Sequence, residues 1–168
     1  MSTSLVKRLS INSVALVLIF LMLSIGLERF PQRDTRQEQA YVLVFQELVE
    51  SKEYVAVDLS GTKLKGIAKL EKALQSYCDE NGITLLLRDF DWLEEHGYIK
   101  YSDPGPDGLW YFPGGEIIGF RDSELTKTTL VTSVSVATGD MSAYGKNYEV
   151  KCIDGTWTIT KSEGSWFA

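Results

Sequence analysis

Two stretches near the carboxyl end decide the fold class: Leu130–Ala137, with the sequence LVTSVSVA, and Tyr148–Thr160, with the sequence YEVKCIDGTWTIT. In both stretches, large apolar side chains alternate with small or polar ones. This period of two predicts strands that are buried on one face only. Strands of this kind are typical of an antiparallel sheet that is covered on one side.

The dipeptide Asp154-Gly155 lies in the middle of the second stretch. Asp-Gly between two alternating runs favours a two-residue type I′ turn, because both turn residues then need a positive φ. A loop of that length places Cys152 opposite Trp157 and Val150 opposite Ile159. We therefore expect a closing hairpin whose core side carries these four residues.

Helical periodicity occurs upstream of the strands. Apolar residues recur at helical spacing over residues 35–52, and again from Ile67 to Cys78 in a second helix that Asn81-Gly82 ends. A third, short helix is predicted over Asp89–Gly97, where the glycine is placed to end it. Each helix needs a partner surface, because its apolar face is otherwise left in water.

Shorter segments complete the expected fold. Residues 53–59 are typical of a short strand or a helix extension, and residues 83–87 form a short apolar run. Residues 98–101 and 109–112 flank a turn cluster and predict a hairpin, and residues 116–120 add a further strand. The sequence thus predicts an α+β domain, with two to three helices packed on an antiparallel β-sheet of four to six strands.

The amino-terminal segment points to a membrane. Residues 9–27 contain no charged side chain and follow Lys7-Arg8. As a helix they would be about 28 Å long, close to the thickness of a bilayer's hydrocarbon core. A transmembrane or signal-anchor helix and a cleaved signal peptide are both compatible with this layout. We divide the chain into a membrane anchor or signal segment (1–28), a linker (29–36) and an exported α+β domain (37–168).

The short basic tail favours an amino end inside the cell and a single-pass protein with its domain outside the cytoplasm, periplasmic or extracellular. The expected membrane contact is residues 9–27. Residues 29–168 hold 15 basic and 22 acidic side chains, a net charge of −7. Such a surface repels phosphate backbones, so we expect no nucleic-acid partner.

The chain has two cysteines, Cys78 on the second helix and Cys152 on a late strand. Both positions face the predicted core. In an oxidising compartment a disulfide between them is possible. The alternative is a pair of buried thiols that pack as small hydrophobic side chains.

Acidic residues are densest in the short third helix, which holds Asp89, Asp91, Glu94, Glu95 and the single histidine, His96. Paired carboxylates can serve as acid and base, but this spacing also describes a solvated helix face. Asp103, Asp107 and Gly108 match positions one, five and six of a calcium loop. The match fails at position three, which is Gly105, and at position twelve, which is Gly114. We therefore predict no catalytic residue, metal or cofactor, and no enzymatic activity.

Aromatic residues are concentrated in residues 90–120, which hold 8 of the chain's 19 aromatic side chains. A small hairpin cannot bury all of them, so some are expected at the surface, where Tyr and Trp are typical of protein interfaces. The alternative is that they complete the core. The candidate binding residues are Trp92, Tyr98, Tyr101, Trp110 and Tyr111.

These features predict a small, non-enzymatic protein-binding module at the outer side of a membrane, as in a component of an envelope assembly. The alternative hypothesis is an acidic inhibitor or immunity-type protein that neutralises a basic toxin or hydrolase. Salt dependence of partner binding would distinguish the two, because long-range charge attraction is screened by salt.

Overall fold

Three helices and eight strands make up the part of the chain that the computed structural model describes, residues 36–49, 53–103 and 108–167. The helices are α1 (Glu38–Leu48), α2 (Ile67–Asn81) and α3 (Phe90–Glu95). The strands are β1 (Tyr54–Gly61), β2 (Thr84–Leu86), β3 (Lys100–Tyr101), β4 (Trp110–Tyr111), β5 (Gly115–Leu125), β6 (Thr129–Gly139), β7 (Ser142–Ile153) and β8 (Thr156–Phe167). The α+β class is confirmed.

The closing hairpin of β7 and β8 has the predicted turn and register. Asp154 and Gly155 have φ angles of 51° and 87°, the left-handed conformation that a type I′ turn requires. Cys152 lies opposite Trp157. Further along, Val150 lies opposite Ile159, also as predicted.

Beyond that point β8 departs from simple alternation. The register shifts twice, so that Thr160 and Ser165 lie opposite no residue of β7. The Thr160 hydroxyl still donates a hydrogen bond of 3.0 Å to the Glu149 carbonyl. Each extra residue is a β-bulge, which bends the strand and reverses the side on which the following side chains lie. Strand β8 is also an edge of the sheet, because it pairs only with β7.

The eight strands form one mixed sheet, not an antiparallel sheet of four to six strands. The order is β2–β1–β5–β6–β7–β8, and the β3–β4 hairpin joins β6 where Tyr111 pairs with Gly139. Strand β1 pairs in parallel with both β2 and β5, which corrects the antiparallel prediction. Helix α2 connects β1 to β2, and a parallel pair needs such a crossover.

A continuous apolar run explains the central position of β1. Val55, Ala56 and Val57 are all buried, although successive side chains of a strand point to opposite faces. A strand buried on both faces belongs inside a sheet, between two covering layers. The main cluster covers the face that carries Val55 and Val57, and a second cluster covers the face that carries Ala56.

Helices α1 and α2 pack on the main cluster. They contribute Tyr41, Phe45 and Leu74, which are fully buried against the apolar face of β5, β6 and β7. Helix α2 ends at Gly82, with a φ of 70°, as predicted from Asn81-Gly82. Helix α1 is shorter than predicted, because Val49 is already extended.

The second cluster lies on the opposite face of the sheet. Its buried residues are Ala56, Leu93, Ile99 and Phe112. Among its half-buried side chains, Phe90 and Trp92 come from α3, Trp110 comes from β4, and Tyr98 lies between α3 and β3. The two clusters together place one apolar layer on each side of β1.

A buried polar clamp ties α1 to β5. The hydroxyl of Tyr41 donates a hydrogen bond to Oδ2 of Asp122. The backbone N–H of Lys63 donates to the same oxygen at 2.7 Å. Burial raises the pKa of Tyr41, and the hydrogen bond and the charge of Asp122 raise it further, so Tyr41 stays protonated.

In residues 36–49, 53–103 and 108–167, no helix is both long enough and apolar enough to span a membrane. The segment for which an anchor is predicted, residues 9–27, lies outside the described residues.

Removing the Tyr41 hydroxyl tests the clamp. We expect Tyr41→Phe to lower the free energy of unfolding by about 1–3 kcal/mol, because a buried carboxylate loses a donor. Tyr77→Phe is the matched control, since Tyr77 is half-buried and its hydroxyl bonds to no described residue; it should stay within about 0.5 kcal/mol of wild type. Urea denaturation measures both, and equal losses in the two variants would contradict the clamp.

Candidate functional site

The structure separates the five candidate binding residues into two groups. Trp92, Tyr98 and Trp110 are half-buried members of the second cluster. Tyr101 and Tyr111 are exposed, with 41% and 45% of their surface accessible. Only this second group is exposed to solvent.

The half-buried aromatic rings hold the β3–β4 hairpin against α3 and β1. The ring of Phe90 meets Trp110 edge-on, with centroids 5.1 Å apart. Tyr98 lies between Tyr54 at 5.6 Å and Phe112 at 6.2 Å. Aromatic pairs in this geometry stabilise a fold beyond the area they bury. The role of these rings is therefore to support the hairpin.

The ring of Trp92 is also in contact with its own chain. His96 stacks on it with centroids 3.8 Å apart, and the Arg88 guanidinium carbon lies 5.4 Å from the ring centre. Nδ1 of His96 lies 2.9 Å from the Trp92 carbonyl oxygen. These contacts order the end of α3.

Tyr101 connects the hairpin to α3. Its hydroxyl donates a hydrogen bond of 2.6 Å to Oε1 of Glu94. That bond raises the pKa of Tyr101, with smaller contributions from desolvation and from the charges of Glu94 and Asp140. Tyr101 therefore lies where α3, the hairpin and the β6–β7 turn approach one another.

The β6–β7 turn is fastened to the hairpin through its backbone. The N–H of Trp110 donates to Oδ2 of Asp140 at 2.8 Å, and the N–H of Asp140 donates to the Trp110 carbonyl at 3.1 Å. Gly139 allows this approach, because a Cβ there would lie 2.8 Å from the Trp110 carbonyl oxygen. The turn and the hairpin are thus held together.

We call the exposed apolar side chains of these joined segments the end patch and define it as Tyr101, Leu109, Tyr111 and Met141. Tyr101 pairs with Trp110 and Tyr111 with Lys100, so the two tyrosines lie on opposite faces of the hairpin. Leu109 is 47% exposed and Met141 is 76% exposed. Neither residue was predicted from the sequence. Met141 could have been found from the Gly139-Asp140 pair that ends an alternating strand, because an apolar residue in such a turn has no core to enter.

The carboxylates of the third helix point into solvent. Asp89, Asp91, Glu94 and Glu95 are all exposed. Asp89 caps α3, since its Oδ1 accepts the backbone N–H of Trp92 at 2.9 Å. In the described ranges, no three His, Cys, Asp or Glu residues are placed to share a metal ion. Residues 104–107 of the calcium-like loop lie outside those ranges.

Both cysteines belong to the main cluster and are free thiols in this structure. Cys78 is fully buried, whereas Cys152 packs at the edge of the cluster and is half-exposed. Burial raises the pKa of the Cys78 thiol to about 11, and the charge of Asp79 adds to the effect.

The chain matches no family model, no curated protein and no solved structure.

The two thiols should differ in reactivity. At pH 8, below the raised pKa of Cys78, we expect iodoacetamide to alkylate the native Cys152→Ser variant at least about tenfold more slowly than Cys78→Ser, because a buried, protonated thiol reacts only after local opening. In urea the two rates should become equal. Mass spectrometry follows both variants, and a fast native reaction at Cys78 would contradict its placement in the core.

Proposed function

We propose that the chain is a membrane-anchored, exported, non-enzymatic protein-binding module that engages its partner through the end patch. The exposure of Tyr101, Leu109, Tyr111 and Met141 on neighbouring segments supports this proposal most directly. Single exposed apolar residues are common, but a group of four on adjoining segments favours an interaction surface.

The support beneath the end patch favours tight binding. Phe90, Trp110 and Phe112 pack behind the hairpin in the second cluster. The patch is thus held in place before a partner arrives, so little conformational entropy is lost on binding. Tyrosine also brings a large contact area with few rotatable bonds, and it is enriched among the residues that dominate interface energies.

The charges near the end patch indicate the chemistry of the partner. Glu94 and Asp140 both lie close enough to Tyr101 to affect its pKa. An apolar centre with acidic neighbours is complementary to an apolar surface bordered by Lys or Arg. The net charge of −7 on residues 29–168 favours such a partner from longer range.

Attachment to a membrane is the second part of the proposal. The uncharged residues 9–27 behind Lys7-Arg8 support it. An exported domain tethered in this way meets partners in or beside the membrane. A component of an envelope assembly fits both the anchor and the apolar end patch.

The acidic inhibitor is the alternative, and the exposed carboxylates of α3 favour it. Asp91 and Glu95 accept no hydrogen bond from another described residue, so both are available to a basic toxin or hydrolase. In that case electrostatic attraction by these carboxylates would account for most of the association rate constant, and the apolar side chains of the end patch would contribute less to binding.

Affinity capture with matched variants tests the proposal. The tagged full chain is recovered from native membranes as wild type, as Tyr111→Ser/Met141→Ser, and as Phe167→Ser. Phe167 is 85% exposed on β8, outside the end patch, and provides the control. We expect one partner to bind wild type and control and to be reduced at least about tenfold with the double variant, because the buried centre of an interface carries most of its energy.

Washing at low and at high salt separates the two hypotheses. A partner that resists high salt and is lost with the double variant supports the end patch. A basic partner that is lost at high salt, and reduced by Asp91→Lys/Glu95→Lys but not by the double variant, supports the inhibitor. Capture that is identical for all the variants would contradict both.

A further inference from the structure

A groove crosses the face of the sheet opposite α1 and α2, beside the second cluster. Its volume is about 300 Å³. One row of paired residues runs along it, and the row consists of Asp58, Gly119, Ser135, Gly145 and Trp166. Arg121, Ser133 and Ser60 line it from the neighbouring rows. Trp166 does not belong to the end patch. It was also not among the candidate binding residues predicted from the sequence.

Two glycines of this row keep the sheet low: Gly119 lines the groove, and Gly145 lies beneath the Trp166 indole. A Cβ on Gly119 would lie 2.9 Å from Oγ of Ser135. A Cβ on Gly145 would lie 2.2 Å from Nε1 of Trp166, so the indole lies directly over this glycine. The sheet therefore fixes the position of the indole, which still exposes 44% of its surface.

Polar groups line the rest of the groove. Oδ1 of Asp58 accepts the backbone N–H of Ser60 at 2.8 Å, which orients the carboxylate. Within residues 36–49, 53–103 and 108–167, neither the Arg121 guanidinium nor the Ser135 hydroxyl has a hydrogen-bond or ion-pair partner. Five guanidinium donors, a hydroxyl and a carboxylate are thus open to a ligand.

The charges and the backbone restrict the class of ligand. The lining contains one acidic and one basic side chain, so its formal charge is zero and a strongly anionic or cationic ligand gains nothing overall. The floor strands β5, β6 and β7 each pair on both sides, so their backbone offers no free edge to an added peptide strand. A neutral ligand bound through side chains is favoured.

We propose that this groove binds a neutral oligosaccharide, with one sugar ring stacked on Trp166 and hydroxyl groups held by Asp58, Arg121 and Ser135. A pyranose has a C–H face that suits an aromatic plate and a rim of hydroxyls that suits mixed donors and acceptors. From β1 to β7 the groove crosses three strand spacings, about 14 Å, which is long enough for more than one sugar ring.

Calorimetric titration of the full chain tests this site. The protein is purified in a detergent whose headgroup contains no sugar, and the probes are cellotriose, maltotriose and N,N′,N″-triacetylchitotriose. We expect at least one of them to bind with a Kd of about 1 mM or tighter. Trp166→Ala should weaken that affinity at least about tenfold, because the stacking surface is lost.

Matched variants show whether any binding occurs in the groove. Phe167→Ala removes the neighbouring exposed ring, which points to the other side of the sheet, and should leave the affinity unchanged. Ser135→Val suits an exposed strand position, removes the hydroxyl and raises the floor. It should weaken binding even if Trp166→Ala fails to fold. Absence of binding for all three probes at about 10 mM, or equal affinity in wild type and Ser135→Val, would overturn the assignment.

The groove is independent of the end patch. Tyr111→Ser/Met141→Ser should bind the trisaccharide as wild type does, because neither residue lines the groove. Failure of the partner capture and failure of the sugar titration can therefore be told apart.

Discussion

Burial of β1 on both faces is the constraint on which the rest of the structure depends. Val55 and Val57 need one apolar cover, and Ala56 needs another on the opposite side. Helices α1 and α2 meet the first need. Helix α3 and the small β3–β4 hairpin meet the second, although a two-residue strand pair would be unstable alone. The end patch consists of residues of this second cover, and of the turn attached to it, that remain exposed to solvent.

The same arrangement leaves most of the second face open. Towards the middle of the sheet the second cluster ends at the row in which Ala56 pairs with Ile117, and the next row on this face already belongs to the groove. Small residues occupy that row on β5, β6 and β7, so the surface there is recessed. One face of the sheet thus carries the apolar end patch near its end and the polar groove along its middle. These two surfaces suit ligands of different chemistry.

The sequence predicted well wherever a local signal and the tertiary structure agree. Asp154-Gly155 sets the closing turn, and alternation sets the buried face of β6 and β7. The parallel pairs of β1 were missed because a short, continuous apolar run has no period that could reveal its neighbours. The aromatic residues separate into Tyr101 and Tyr111 outside and Trp110 half inside only after the hairpin has docked. Trp166 follows two β-bulges whose changes of face cancel, so alternation from Trp157 still places it on the opposite face. It was missed because the sequence pattern alone does not show that Gly145 lies beneath its indole.

Strand β8 has a consequence for how the protein behaves in a crowded compartment. A free sheet edge of twelve residues exposes a row of unpaired N–H and C=O groups, which other chains can extend into an aggregate. In β8 the bulges at Thr160 and Ser165 bend that edge, and Lys161 and Glu163 place charges along it. Bulges and charges of this kind are how native sheets prevent edge-to-edge growth. Many copies could therefore be held close together on one surface without joining through their sheets.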